Sequence, residues 1–242
     1  MKKIGSYSAL RRRLAAWLKS EMKAACAKGF VVGISGGVDS AVVAALCRLA
    51  ARRNVLGLIL PCESSPSDIR DAGLVASRFR IRSKTLDLGP AWRTLTGLLP
   101  KGTRLARANV KPRLRMIVLY HFANSLNYLV AGTGNLSELM MGYFTKYGDG
   151  GVDLLPLGNL LKRDVRNLAR ELGVPEKIIA KPPTAGLWPC QTDEAEMGIT
   201  YEELDGILSG EKTVRDRKKT DKVRKAFRTS AHKRNLPKIC PI

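Results

Sequence analysis

Apolar side chains recur along this chain with two different periods. Leu10, Leu14, Trp17, Leu18, Met22 and Ala25 fall at helical spacing among arginines and lysines, which predicts an amphipathic helix over 7–28. Phe30–Ser35 is a short apolar run ending in glycines, as expected of a buried strand that leads into a turn. Ser40–Arg53 then reads as a helix whose closing arginines suit its C-terminal dipole. Val55–Leu60, stopped by Pro61, predicts a second buried strand. Ser67–Arg80 predicts a helix with Ser67 as N-cap, and Ser83–Leu88 a third strand. A helix over Arg113–Leu126 precedes a fourth strand, Tyr128–Thr133, which again runs into glycine. Lys162–Leu172 reads as a helix closed by Gly173, and 200–208 and 212–228 as terminal helices.

Strands and helices alternate, and the strands look apolar on both faces. That pattern predicts an α/β fold, a parallel sheet with helices on both faces. The stretches 142–158 and 181–198 are rich in glycine and proline and read as long loops, the first of them ordered. Loops of that length in a compact domain point to function. The expected organisation is one domain over 1–242: an N-terminal helix (7–28), an α/β core (30–180), then loops and C-terminal helices (181–242).

Composition adds a partner. The chain of 242 residues carries a net charge of +21. Residues 1–53 hold 11 basic and 2 acidic side chains, 54–210 hold 19 and 16, and 211–242 hold 12 and 3. The excess sits at the two ends, and it fits an anionic partner such as a nucleotide or nucleic acid. Hydrophobic residues make up 45%, which excludes a disordered basic protein. No apolar run reaches 18 residues, so no membrane span is expected, and no signal-peptide pattern is present. The cysteines at 26, 47, 62, 190 and 240 match no zinc or redox spacing, which suggests reduced thiols in a cytoplasm.

The most informative local feature is Gly33-Ile34-Ser35-Gly36-Gly37-Val38-Asp39-Ser40, between a strand and a helix. A helix N-terminus offers free N–H groups to phosphate, and the glycines allow close backbone approach. Ser35 and Ser40 add hydroxyl donors, and Asp39 beside phosphate makes sense as a metal ligand. The motif is neither a Walker A sequence nor a GxGxxG.

SGGVDS resembles the PP-loop of the ATP pyrophosphatases, which cleave ATP to AMP and pyrophosphate. The downstream segments narrow the resemblance. These are Gly132-Thr133-Gly134-Asn135 with Glu138, Gly142 to Gly151 (GYFTKYGDGG), Asp153 with LLPL, Lys162, and Lys181 to Trp188 (KPPTAGLW). Gln191-Thr192-Asp193-Glu194, Leu204-Asp205 and His232-Lys233-Arg234 continue it. Over nearly the whole chain the sequence is similar to the ammonia-dependent NAD synthetases.

That resemblance implies a Rossmann-like, adenine nucleotide alpha hydrolase-like fold and a two-step amidation. The nicotinate carboxylate of deamido-NAD is adenylated by ATP, and ammonia then displaces AMP. By resemblance, Gly33, Ile34, Ser35, Gly36, Gly37, Val38, Asp39, Ser40, Leu60, Thr133, Lys162 and Thr184 bind ATP, with Asp39, Lys162 and Ser35 catalytic. Asp39 and Glu138 match magnesium ligands. Arg113, Lys146, Asp153, His232 and Lys233 match deamido-NAD positions. The family's substrate lies across a homodimer interface, and the Arg113–Leu126 helix is a candidate interface element. Pro189 and Cys190 depart from the family pattern, and Cys190 is expected near the site without a catalytic role. Only about 29 residues precede the first strand, too few for an attached glutaminase domain. Free ammonia is therefore the expected donor, with a separate glutaminase partner left open. The competing reading is a PP-loop enzyme that adenylates a tRNA base, supported by the +21 charge. The absence of a CxxC pair and the NAD-type loops argue against it and against a nucleic-acid partner.

Overall fold

The computed structural model describes residues 4–188, 191–211 and 216–240. The chain begins with α1 (Tyr7–Ala24), β1 (Gly29–Gly33), α2 (Val38–Ala51), β2 (Val55–Ile59), α3 (Pro66–Arg78) and β3 (Arg82–Thr85). Three helices follow, α4 (Gly89–Leu98), α5 (Arg104–Ala108) and α6 (Val110–Leu126), and then β4 (Tyr128–Val130). The rest is helical: α7 (Leu136–Met141), α8 (Lys162–Leu172), α9 (Glu176–Ile179), α10 (Asp193–Met197), α11 (Tyr201–Ser209), α12 (Arg217–Thr229) and α13 (Ala231–Arg234).

The four strands form one parallel sheet in the order β3-β2-β1-β4. Alternation along β1 and β2 sends side chains to two cores. Phe30, Val32, Val55 and Ile59 pack with α1, α2, α3 and α8, while Val31, Leu56 and Leu58 pack with α4 and α6. Helices thus cover both faces, as the pattern predicts. The chain leaves β1 towards β2 on one side and returns to β4 on the other, so its direction of winding reverses between β1 and β4. Ligands of open α/β sheets settle in the crevice at that reversal, beyond the carboxyl ends of the strands.

Several expected boundaries move. β3 covers Arg82–Thr85 and exposes all four side chains, so two-sided burial does not extend to this edge strand. Its polar residues suit an edge. The cap of α3 is Ser65, whose hydroxyl accepts from Asp68 N, and not Ser67. Pro66 takes the first helical position, where a missing N–H costs nothing. β4 stops at Val130, and Ala131 continues it only as a bridge to Leu154. The 181–198 loop contains α10, started by the Thr192 hydroxyl on Ala195 N and ended by Gly198 at φ +60°. Among the described residues no helix is long and apolar enough to cross a membrane.

Candidate active site

The turn after β1 is built for close approach. Gly36 has φ +83°, and a Cβ there would lie 2.6 Å from Asp68 O. Both the left-handed backbone and the touching of α3 require glycine. Gly37 is the extended N-cap of α2 and offers no side chain to the helix. Ser40 Oγ donates to Gly37 O at 2.9 Å and accepts from Ser35 N at 3.2 Å, while the two hydroxyls meet at 3.1 Å. Ser35 Oγ also accepts from Gly37 N at 3.3 Å. The serines therefore brace the loop on each other, and Ser35 faces solvent while Ser40 is buried. Ile34 and Val38 anchor the turn in the core below α2. Leu60 closes β2 in the opposite core, and Thr133 follows the carboxyl end of β4.

Asp39 stands in the first turn of α2 and meets two residues from distant segments. Lys162 Nζ, 2% exposed at the start of α8, lies 2.5 Å from Asp39 Oδ2 and 3.3 Å from Glu138 Oε1. Asn135 Nδ2 donates to Asp39 Oδ1 at 2.9 Å. Asn135 also forms a capping box with Glu138: its Oδ1 accepts from Glu138 N, and Glu138 Oε2 accepts from Asn135 N. That reciprocal pair fixes the backbone of α7 and so the aim of Glu138. Tyr201 OH donates to Glu138 Oε1 at 3.4 Å and to Asp193 Oδ2 at 3.0 Å, and the Lys162 ammonium sits 4.9 Å from the Tyr201 ring.

Burial and neighbouring charge tune this cluster. Burial pushes Glu138 up to about 8; Lys162 and the Asn135 N–H oppose the rise, and Asp39 and Asp193 add to it. Burial works against the Lys162 charge, but Asp39 and Glu138 outweigh it and hold the pKa above the ordinary lysine value. Burial likewise raises Asp193, opposed by Lys162, Tyr201 and Tyr143. The result is a buried ammonium, its charge favoured by the carboxyls that flank it, at the sheet's reversal point.

The residues expected at deamido-NAD gather around the 142–153 loop. Arg113 Nη2 donates to Lys146 O, and Lys233 Nζ donates to Gly142 O and Phe144 O, both at 2.8 Å. Burial lowers the Lys233 pKa, with Asp149 opposing and Arg113 and Arg234 reinforcing the shift. The Lys146 ammonium lies 5.0 Å from the Tyr147 ring. Asp153 accepts from Tyr120 OH at 2.9 Å and from Val130 N at 2.8 Å, so both its oxygens already hold the loop to β4 and α6. His232 is exposed on α13, beside Lys233. The loop itself is ordered by Thr145, whose N–H donates to Asp149 and whose carbonyl accepts from Gly148 and Gly150.

A family model described as NAD synthase matches residues 10–237. The chain belongs to the NAD synthase family. It is 49% identical over 233 residues to the NH(3)-dependent NAD(+) synthetase of Carboxydothermus hydrogenoformans, covering 94% of this chain and 95% of that one. The Finegoldia magna protein of the same description is 47% identical over 234 residues, 96% of each chain. Among solved structures, NMN synthetase from Francisella tularensis superposes with a TM-score of 0.94 at 38% identity, over 99% of this chain and 100% of that one. The NH3-dependent NAD synthetase from Campylobacter jejuni gives 0.84 at 27% identity, over 98% and 100%.

Within this NAD synthase chain, Thr184 lies exposed on a loop tied down at several points. Lys181 Nζ contacts Asp68 and Asp71 of α3 at 2.6 and 2.7 Å. Lys111 Nζ donates to Leu187 O at 3.0 Å and pairs with Glu63 at 3.3 Å, and Arg104 stacks 4.5 Å from the Trp188 ring. Cys190 falls outside the described residues. Sequence reasoning gave no role to Lys111, Asn135 or Tyr201, and none to Arg115, which donates to Leu60 O at 3.0 Å. Asn135 alone had a local signal, the Asn-x-x-Glu spacing of a capping box.

Asp39 and Glu138 suit a magnesium ion. Both are oxygen donors that meet at Lys162 Nζ, and Asp193 Oδ1, near them, is buried with no hydrogen-bond partner among the described residues. Among the described residues no group of three or more His, Cys, Asp or Glu could hold a metal. Two carboxylates with substrate phosphates and water are the usual magnesium environment.

Proposed function

We propose that this chain forms NAD from deamido-NAD, ATP and ammonia, with AMP and pyrophosphate released. The observation that carries this reading is the convergence of Asp39, Glu138 and Lys162 at the sheet's reversal point in a chain of the NAD synthase family. Backbone N–H groups from Gly36 to Asp39 receive the polyphosphate at the N-terminus of α2. Lys162 neutralises charge as pyrophosphate leaves, since Asp39 and Glu138 hold its pKa above the ordinary lysine value against the cost of burial. Leu60, Thr133 and Thr184 border the nucleotide. Asp39 and Glu138 would hold magnesium, which supplies Lewis-acid polarisation of the phosphates when bound.

The nicotinate carboxylate attacks the α-phosphorus and expels pyrophosphate. Ammonia then attacks the acyl carbon and expels AMP, and the amine sheds its proton. Arg113, Lys146 and Lys233 supply positive charge for the deamido-NAD diphosphate, and Asp153 and His232 border it. The chain's part is mostly placement and charge neutralisation.

We further infer a homodimer through the α6 face, where Ile117 is 58% exposed one turn from Arg113. Buried free thiols at Cys47 and Cys62 agree with a cytoplasmic setting. A second reading, amidation of the nicotinate mononucleotide, is favoured by the likeness to NMN synthetase. Parallel assays with deamido-NAD and nicotinate mononucleotide, each with ammonium and with glutamine, test the reading. NAD formed from deamido-NAD and ammonium supports it. Turnover only with the mononucleotide would select the second reading, and tRNA-dependent ATP cleavage would overturn both.

A further inference from the structure

α8 begins without a cap of its own, because its N-cap residue is Leu161 and offers no side-chain acceptor. The first N–H groups of a helix need partners when they are buried. Here they find them on other elements. Lys162 N donates to Ser137 Oγ on α7 at 3.1 Å, and Arg163 N donates to Asp205 Oδ2 on α11 at 2.8 Å. Ser137 Oγ in turn donates to Asp205 Oδ1 at 2.5 Å. Ser137 and Asp205 are 0% and 1% exposed. Asp205 thus does the work of an N-cap from 42 residues downstream of Arg163, and its charge sits where the helix dipole favours an anion.

Two side chains of the site hang from this joint. Lys162 is the first residue of α8, and Glu138 follows Ser137 directly on α7. Lys162 Nζ reaches Asp39 Oδ2 at 2.5 Å from that first turn, so the position of the turn sets where the ammonium lies. We propose that Asp205, acting through Ser137, is a positioning residue that sets Lys162 and Glu138 at the triphosphate by capping α8 from α11. This rests on the reading of Lys162 and Glu138 as the ATP and metal residues.

The variants are Asp205→Asn and Ser137→Ala, with Leu204→Ala, a fully buried neighbour on α11, as the reference for a merely structural loss. Turnover is measured with deamido-NAD, ATP and ammonium in the presence and absence of a Lys162→Ala change. Amide exchange at Lys162 and Arg163 is read on the same proteins without substrates. Asp205→Asn is expected to lower kcat by about 10- to 100-fold with little change in KM. It should speed exchange at the two amides and leave α2 amides protected. In the Lys162→Ala background it should add less than about a twofold further loss. Ser137→Ala should show the same pattern and serves if Asp205→Asn does not fold. Leu204→Ala should lower Tm and leave kcat near the parent. Unchanged kcat in folded Asp205→Asn, or the same loss with and without Lys162, would overturn the proposal. Faster exchange in Asp205→Asn, together with a parent that makes no NAD, would instead overturn the reading of the site and leave the cap standing.

Discussion

Lys162 Nζ lies 2.5 Å from Asp39 Oδ2, although 123 residues of chain separate them. The lysine is 2% exposed and Asp39 17%, so each holds the other's charge in a place with little water. Such a pair adds little stability over an apolar substitute, but removing one partner strands the other. On the proposed function, the contact prepares a place for the triphosphate more than it braces the fold.

Lys162→Met is expected to lower kcat by about 100- to 1,000-fold, leaving a residual turnover that can still be measured, and to destabilise the fold by about 3 kcal/mol, because Asp39 loses its cation in a half-buried setting. Turnover and denaturant unfolding, measured together, check this. A fully active variant with lowered stability would show that Lys162 only braces the site.

Glu138 gives a pH signature. Its carboxyl is raised from 4.5 to about 8 by burial, so the folded state favours the proton that the unfolded state has already released. Stability that Glu138 contributes below about pH 4.5 is lost as pH rises through about 8. Without metal, Glu138→Gln should therefore gain in Tm on the parent across that window and level off above it. With ATP present, magnesium should bind the parent more tightly at pH 8.5 than at pH 6.5, since ligation needs the carboxylate. A stability difference that does not vary with pH would contradict this account.

Gly36→Ala tests the loop. An added Cβ meets Asp68 O at 2.6 Å on a backbone at φ +83°, and Asp68 O belongs to a helix that cannot move freely. The conformational cost alone is about 1–2 kcal/mol. The variant should remain folded with a lowered Tm and lose ATP affinity by at least about tenfold, read by titration. Gly73→Ala, where nothing lies within 4 Å of the new Cβ, should match the parent.

How much of this was legible in the sequence follows from the range of the contacts. β1, β2 and the Gly33–Ser40 turn could be read because burial on both faces and paired glycines are written in consecutive residues. The third strand was legible only with shifted bounds, Ser83–Leu88 for Arg82–Thr85, since Arg-Ser-Lys-Thr has no apolar pattern to fix its ends. The resemblance named Asp39, Glu138 and Lys162, and the structure brings these three together. The roles of Asn135 and Asp205 were hidden because their partners lie 96 and 68 residues away, at Asp39 and Ser137. Arg113, Lys233 and Asp153 were read as substrate contacts, and in the structure each holds the 142–153 loop. The charge at the two ends still has no assigned partner. Arg11–Glu171 and Lys219–Glu203 pair only a small part of it.

The α6 face provides a test of assembly. Ile117→Arg places a charge on an exposed apolar position that a dimer would bury. Sedimentation should give a dimer for the parent and a monomer for the variant, with the variant's KM for deamido-NAD raised. A fully active parent monomer would rule out a shared site.

The central claim is that the substrate carboxylate itself attacks ATP. Deamido-NAD labelled with ¹⁸O in the nicotinate carboxylate tests it directly, because one of those oxygens must leave with AMP when ammonia displaces it. The account predicts one labelled oxygen in each AMP, formed in step with NAD and with unlabelled pyrophosphate. Unlabelled AMP, or no NAD from folded protein supplied with ATP, magnesium and ammonium, would contradict it.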